Sequence, residues 1–213
     1  MTNTVNQKYL ESNMKVLGWF PEGYQMWTAN KAITSPEDFE GFKIRTMASP
    51  VISESYKAYG ADPTPIPYME VYSSLQLNMI DGQVNPIFAI EEMKFYEVQE
   101  YMMLSNQAIF VGTFVANDMF WDSLTDERRA QVEAAAEETT EFILGAQKEL
   151  NNTRLKSIKE NSDMEIVDLT KEQRAAFKEA SKPVRDFYVE QYGEDAEKIL
   201  NQLLKDVEAI NNK

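Results

Sequence analysis

The side chains best suited to chemistry in this chain are Arg45, Tyr68 and Asn85, with Gln25, Trp27 and Gln107 as further candidates. Arg45 lies inside the strand-like segment KIRTM at 43–47, away from any charged helix face. A guanidinium at a strand end offers a fork of donors that matches a carboxylate in two parallel hydrogen bonds, which is anchoring and not catalysis. The plainer alternative is a strand-edge cation in solvent. Asn85 precedes Pro86 and fits an N-cap; the same helix start, with exposed amides and the Asn amide beside them, also fits an anion site. Tyr68 follows Pro67 at the mouth of the next helix and fits either the core or a ring stacked over a ligand. Gln25 and Trp27 stand two apart on one predicted strand, so their side chains point the same way. Gln107 sits in a polar corner between two apolar runs and assigns nothing by itself.

Other chemistries are removed by composition. The 213 residues include no His and no Cys, so there is no imidazole base, Ser-His-Asp triad, thiolate nucleophile, zinc knuckle or disulfide. No calcium loop, phosphate-cradling Gly-rich loop or nucleophile elbow occurs. Glu37 and Asp38 belong to a helix start, and Glu133, Glu137, Glu138 and Glu141 to a solvated helix face, so neither set forms an acid/base pair. No enzyme, metal site or cofactor is expected. With 35 acidic against 21 basic residues the formal charge is −14. Such a balance repels phosphate backbones and anionic lipid, and nucleic acid is not an expected partner. No apolar run approaches the roughly 20 residues that span a bilayer, and the first residues, MTNTVNQKYLESN, lack the pattern of a signal peptide.

The elements that must position these side chains alternate. KVLGWF at 15–20 and QMWTA at 25–29 predict two short strands parted by Pro21, Glu22 and Gly23. Ser35-Pro36-Glu37-Asp38 starts a short helix that Gly41 stops, and a helix over 50–59 ends at Gly60. DPTPIPY at 62–68 is extended but, with three prolines, unsuited to a central strand. Residues 69–79 have helical spacing, 80–86 form a brief strand or turn, and Pro86 opens a helix to about Val98. Two strands are expected within 101–117, one long amphipathic helix over 126–159, a strand at 164–169 and two or three helices from Thr170 onward. That order predicts an α/β protein with a sheet flanked by helices.

In order and spacing, GxKIR at 41–45, the run PTPIPYMEVY at 63–72, DGQVNP at 81–86 and KFYEVQ at 94–99 together resemble the solute-binding proteins of tripartite ATP-independent periplasmic (TRAP) transporters. The resemblance extends more weakly from about residue 14 to the end. It implies a periplasmic-binding-protein-like α/β fold that holds an organic acid without reacting with it, and delivers it to membrane permease subunits. The carboxylate-binding arginine of the family falls on Arg45, its aromatic cleft residue on Tyr68 and its ligand-facing asparagine on Asn85; Met47 and Ser49 match cleft-lining positions.

Two departures bear on the ligand. Sialic-acid receptors carry a second arginine where this chain has Gln25, and their DGQENP becomes DGQVNP with Val84. Losing a cation favours a monocarboxylate, such as a sugar acid or a hydroxy or oxo acid, while dicarboxylates stay open. The family pattern also begins before KVLGWF. The expectation is therefore one complete arginine-bearing α/β lobe, residues 23–110 with 151–213, plus a partial second lobe, residues 1–22 with 111–150, and a long connecting helix. Strand 109–116 is expected to lack sheet neighbours and to present an apolar edge, a route to self-association of a truncated receptor.

Overall fold

Seven strands share one sheet in the computed structural model, which describes residues 2–211. They are β1 (Met14–Ala29), β2 (Lys43–Thr46), β3 (Asp62–Pro65), β4 (Gly82–Pro86), β5 (Tyr101–Leu104), β6 (Ile109–Asn117) and β7 (Glu165–Asp168). The order is β3-β2-β4-β1-β5-β7, with β6 also paired to β1. β2 runs parallel to β3 and β4, and β5 parallel to β7, whereas β1 is antiparallel to both β4 and β5. Consequently β2, β4, β5 and β7 all end at one edge of the sheet, where an open α/β sheet holds its ligands.

The helices are α1 (Thr2–Glu11), α2 (Pro50–Lys57), α3 (Val71–Gln76), α4 (Ile87–Glu92), α5 (Asp118–Ser123), α6 (Asp126–Asn161), α7 (Lys171–Ala180), α8 (Pro183–Tyr192) and α9 (Glu194–Asn211). The helices expected from about residue 50 and from Thr170 are both present, and each starts at a side-chain cap. Ser49 caps α2 by accepting from the Ile52 amide, and Thr170 caps α7 by accepting from the Gln173 amide while Gln173 Oε1 accepts from the Thr170 amide. The proline-rich β3 occupies the sheet's end, where missing donors cost least.

Several expectations are corrected. KVLGWF and QMWTA belong to one strand of 16 residues, β1, that passes through Pro21-Glu22-Gly23. Gly23 makes this possible by taking φ +134°, a value that side chains disfavour. The helix expected over 69–79 is a single 3₁₀ turn at Tyr68–Glu70 followed by the short α3. The one from Pro86 ends at Glu92, because Lys94 adopts left-handed backbone at φ +53°. β6 does not lack a neighbour: it pairs with β1, and the rings of Phe20 and Phe114 lie 4.7 Å apart. Gly112 is required there, since a Cβ would strike the Phe20 ring.

Compactness divides the chain into two units: Met1–Glu22 with Val111–Gln147 and Tyr188–Lys213, and Gly23–Phe110 with Lys148–Phe187. Residues 188–213 thus fall in the first unit and not, as expected, with Arg45; an ion pair of 2.6 Å between Lys8 and Asp195 is one of their ties. The second unit, which carries every candidate residue, has an apolar core on each sheet face. One face packs Trp27, Ile44, Val84 and Met103 with Phe39, Tyr56, Tyr59 and Phe177. The other packs Met26 and Met102 with Leu75, Ile87, Ile90, Phe95 and Ile158. β4 is buried along its whole length between them, and at Gly82 an added Cβ would collide with the Thr28 carbonyl and the Phe42 ring. That close approach is why the DGQ turn needs glycine.

Candidate functional site

Register places the polar candidates. Arg45 stands beside Gln83, and Gln83 beside Thr28, so all three lie on one face of the sheet; Asn85 lies two residues further toward the end of β4, beside Met26. The opposite face carries Val84 beside Trp27 and Pro86 beside Gln25. Arg45 and Asn85 therefore share a face, whereas Gln25 and Trp27 point the same way but to the other one. Gln25, Arg45 and Asn85 nevertheless lie near the same sheet edge, where β2 and β4 end. Met47 and Ser49 follow directly after β2, both half-buried, and Ser49 is occupied as the cap of α2.

Arg45 is 3% exposed, yet no ion pair joins it to a carboxylate among the described residues. Its Nε donates to the Ile66 carbonyl at 2.9 Å, and one terminal nitrogen is buried without any partner. Burial lowers its pKa, opposed by the nearby Tyr68. An ordinary guanidinium value is so high that the group stays charged. A buried cation short of partners is costly unless something supplies them. Tyr68 is half-buried, edge-on to Phe95 at 6.5 Å, and its hydroxyl donates to the Ala89 carbonyl at 3.2 Å. Burial, helped by Glu92 and opposed by Arg45, raises its pKa, so it remains a neutral phenol.

Asn85 is not the cap of α4: Pro86 holds that position, and α4 is only six residues long. The Asn85 Nδ2 instead donates to Gln83 Oε1 at 2.6 Å. The first turn of α4 meets Asn151, whose Oδ1 accepts from the Phe88 amide at 3.2 Å. A little further on, Glu91 takes a 2.8 Å ion pair from Arg154 and a 3.1 Å bond from Ser157. These three residues of α6 hold α4, and with it the end of β4, in place.

On the second face Trp27 is 1% exposed, with its ring edge-on to Phe39 at 5.0 Å and Phe177 at 4.7 Å. Its Nε1 donates to the Tyr56 hydroxyl at 3.0 Å, which also accepts from Gln107 Nε2 at 2.6 Å. Trp27 is thus a core residue that supports Gln107 through Tyr56. Gln25 is 5% exposed; its backbone is tied to the segment after β5 by the Ser105 hydroxyl and the Ala108 carbonyl, while its side-chain Oε1 is buried and unpaired.

The structure thus brings together Arg45, Tyr68 and Asn85 near the edge where β2 and β4 end, with Gln25 at the same edge and Gln107 following β5. Among the described residues the two shielded side-chain atoms without a hydrogen bond, on Gln25 and Arg45, both belong to this group. Unpaired buried polar atoms are rare in folded proteins and require an explanation. The arrangement can hold an anion with a fixed orientation; it contains no nucleophile poised beside a base. Sequence inspection missed Tyr56, Thr28, Gln83 and Gln99. The alternation along DGQVNP places Gln83 and Asn85 on one face, which is the only signal that could have found any of them.

Comparison with known proteins is consistent with this geometry. Residues 1–191 match the model of the bacterial extracellular solute-binding protein family 7. The ectoine-binding periplasmic protein TeaA of Halomonas elongata is 39% identical over 205 residues, which is 96% of this chain and 60% of that protein. The C4-dicarboxylate-binding periplasmic protein DctP of Rhodobacter capsulatus is 34% identical over 177 residues, 83% of this chain and 53% of that one. The high-resolution structure of the periplasmic ectoine-binding protein from the TeaABC TRAP-transporter of Halomonas elongata superposes with a TM-score of 0.93, at 39% identity, covering 96% of this chain and 67% of the other. The chain spans about three fifths or less of the length of these two curated relatives.

Proposed function

Because the chain belongs to the bacterial extracellular solute-binding protein family 7, we propose that it is a periplasmic receptor that binds a small organic acid and passes it to the membrane permease subunits of a TRAP transporter. The observation that carries this proposal is Arg45: a guanidinium 3% exposed, with a shielded nitrogen that no protein group meets. A ligand carboxylate supplies the missing charge and acceptor. Tyr68 and Asn85 flank the anchor, and Gln25, Gln107, Met47 and Ser49 complete the same edge. No chemical step is assigned, since the grouped residues bind and orient. No helix among the described residues is long and apolar enough to cross a membrane. Overall charge opposes an anionic ligand, and the attraction is local to Arg45.

Calorimetric titration with a panel of hydroxy, oxo, sugar and cyclic amino-type acids tests this. Saturable binding with one-to-one stoichiometry is expected for at least one acid, and a flat response across the panel overturns the assignment.

A second reading, self-association, is favoured by β6, where Val111 and Val115 are 51% and 44% exposed on one strand face. Among the described residues its partner strand is β1. An apolar strand with one paired side is a template for another copy. Light scattering over a hundredfold concentration series is expected to show mass rising toward a dimer; a constant monomer mass sinks this reading.

A further inference from the structure

Behind Asn85 a line of buried amides and one hydroxyl crosses the face of the sheet. Asn85 Nδ2 donates to Gln83 Oε1 at 2.6 Å, Gln83 Nε2 to Thr28 Oγ1 at 3.1 Å, and Thr28 Oγ1 to Gln99 Oε1 at 3.0 Å. Gln99 Nε2 then donates to Asn30 Oδ1 and to the Val98 carbonyl, both at 3.2 Å. Gln83 and Thr28 are fully buried, and Gln99 and Asn85 are 4% and 5% exposed.

The direction of this line is set at its far end by the backbone. The Glu100 amide can only donate, and it meets Asn30 Oδ1 at 3.1 Å; the Val98 carbonyl can only accept, and it meets Gln99 Nε2. With its nitrogen so committed, Gln99 presents oxygen to Thr28, whose hydroxyl must donate to it and keep its lone pairs for Gln83. Gln83 must then present nitrogen to Thr28 and oxygen to Asn85, and Asn85 must answer with nitrogen. Reversing any one amide puts two acceptors or two donors face to face, at a cost that burial makes high. Asn85 Oδ1 therefore takes the opposite corner of its amide, where no described residue donates to it.

We infer that Thr28, Gln83 and Gln99 are positioning residues that hold Asn85 with its oxygen outward, and that the ligand is a carboxylate bearing an N–H or O–H donor. Gln25 Oε1, buried and unpaired at the same sheet edge, adds a second acceptor in want of a donor. The inference rests on the proposed Arg45 anchor and adds a second requirement to it: an acid with acceptors alone satisfies Arg45 and leaves the Asn85 oxygen unmet.

Titration of matched acids tests it, using L-malate against succinate, 3-hydroxybutyrate against butyrate, and pipecolate against cyclohexanecarboxylate, with ectoine as a cyclic N–H acid. Wild-type protein is expected to bind the donor-bearing member at least about tenfold more tightly in every pair that binds, the scale of one unmet buried polar group. Thr28→Val, which keeps the shape and removes the hydroxyl, is expected to reduce that ratio to within about threefold, and Thr28→Ser to keep it. Equal affinities within every pair, with binding still lost in Arg45→Ala, overturn the positioning relay and leave the anchor standing. Binding that survives Arg45→Ala, or no binding by any acid, overturns the anchor and the relay together. If circular dichroism shows Thr28→Val unfolded, the wild-type ratio alone decides.

Discussion

Arg45→Met is expected to weaken binding of the proposed acid by roughly thirtyfold or more while leaving the empty protein as stable as wild type, or more stable. The two effects are expected to have opposite signs because one guanidinium nitrogen is shielded and meets no acceptor among the described residues. In complex, removing one member of a buried hydrogen-bonded charge pair costs on the order of 2–5 kcal/mol, a loss of roughly thirtyfold or more. Without ligand, Arg45 keeps one bond, to the Ile66 carbonyl, and holds a shielded nitrogen with none. Replacing poorly compensated buried charge with an apolar side chain of similar length is often neutral or stabilising by about 1–4 kcal/mol. Paired measurements decide: calorimetric affinity for the acid that binds wild type, and the urea midpoint without ligand at constant m. A variant that loses stability and keeps affinity would make Arg45 a structural cation and remove the basis of the proposed site.

How much of this arrangement was legible in the sequence varies with the range of the interaction responsible. Elements specified by their own residues are readable: the short helical turn opened by Ser35-Pro36, the stop near Gly60, the long α6 and the edge character of the proline-rich β3. Breaks decided by backbone conformation at one residue were not, because Lys94 carries no mark that it will turn left-handed and end the helix from Pro86. Pro-Glu-Gly is locally a turn signal and predicts two strands where the fold has one, β1. Pairing with β4, β5 and β6 outweighs that signal, and Gly23 absorbs the bend. β6 looked unpaired for the same reason, since its partner lies some ninety residues earlier in the chain.

The site shows the same division. Arg45, Tyr68 and Asn85 were visible through motifs whose spacing resembles a known family. What fixes Asn85 was not visible, since Thr28 and Gln99 reach Gln83 only through strand order and register, which no local pattern contains. Nor could the sequence show that Asn85 spends its nitrogen on Gln83 and is no cap for α4. Val84, one of the two departures from the family pattern, turns out to face the Trp27 core, so it changes nothing on the face that carries Arg45. The other departure, Gln25, leaves a buried oxygen without a hydrogen-bond donor.

Trp27 separates the two levels of inference most sharply, and Trp27→Ala is the most destabilising substitution expected in this unit. The sequence places it two residues from Gln25 and pointing the same way, as a further binding candidate; the structure puts it 1% exposed among Phe39, Tyr59 and Phe177. Truncating such a ring removes its transfer energy and leaves a cavity, at a cost of about 3–5 kcal/mol. Here it also takes a donor from the buried Tyr56 hydroxyl. Trp27→Phe refills much of the space and leaves that hydroxyl short of one bond, so its cost should be nearer 1–3 kcal/mol. Affinity gives the contrasting readout. Since Trp27 reaches the site only through Tyr56 and Gln107, the Phe variant is expected to bind the acid within about threefold of wild type, although its urea midpoint falls. A Phe variant with normal stability and affinity reduced tenfold or more would place the ring against the ligand and return Trp27 to the binding residues.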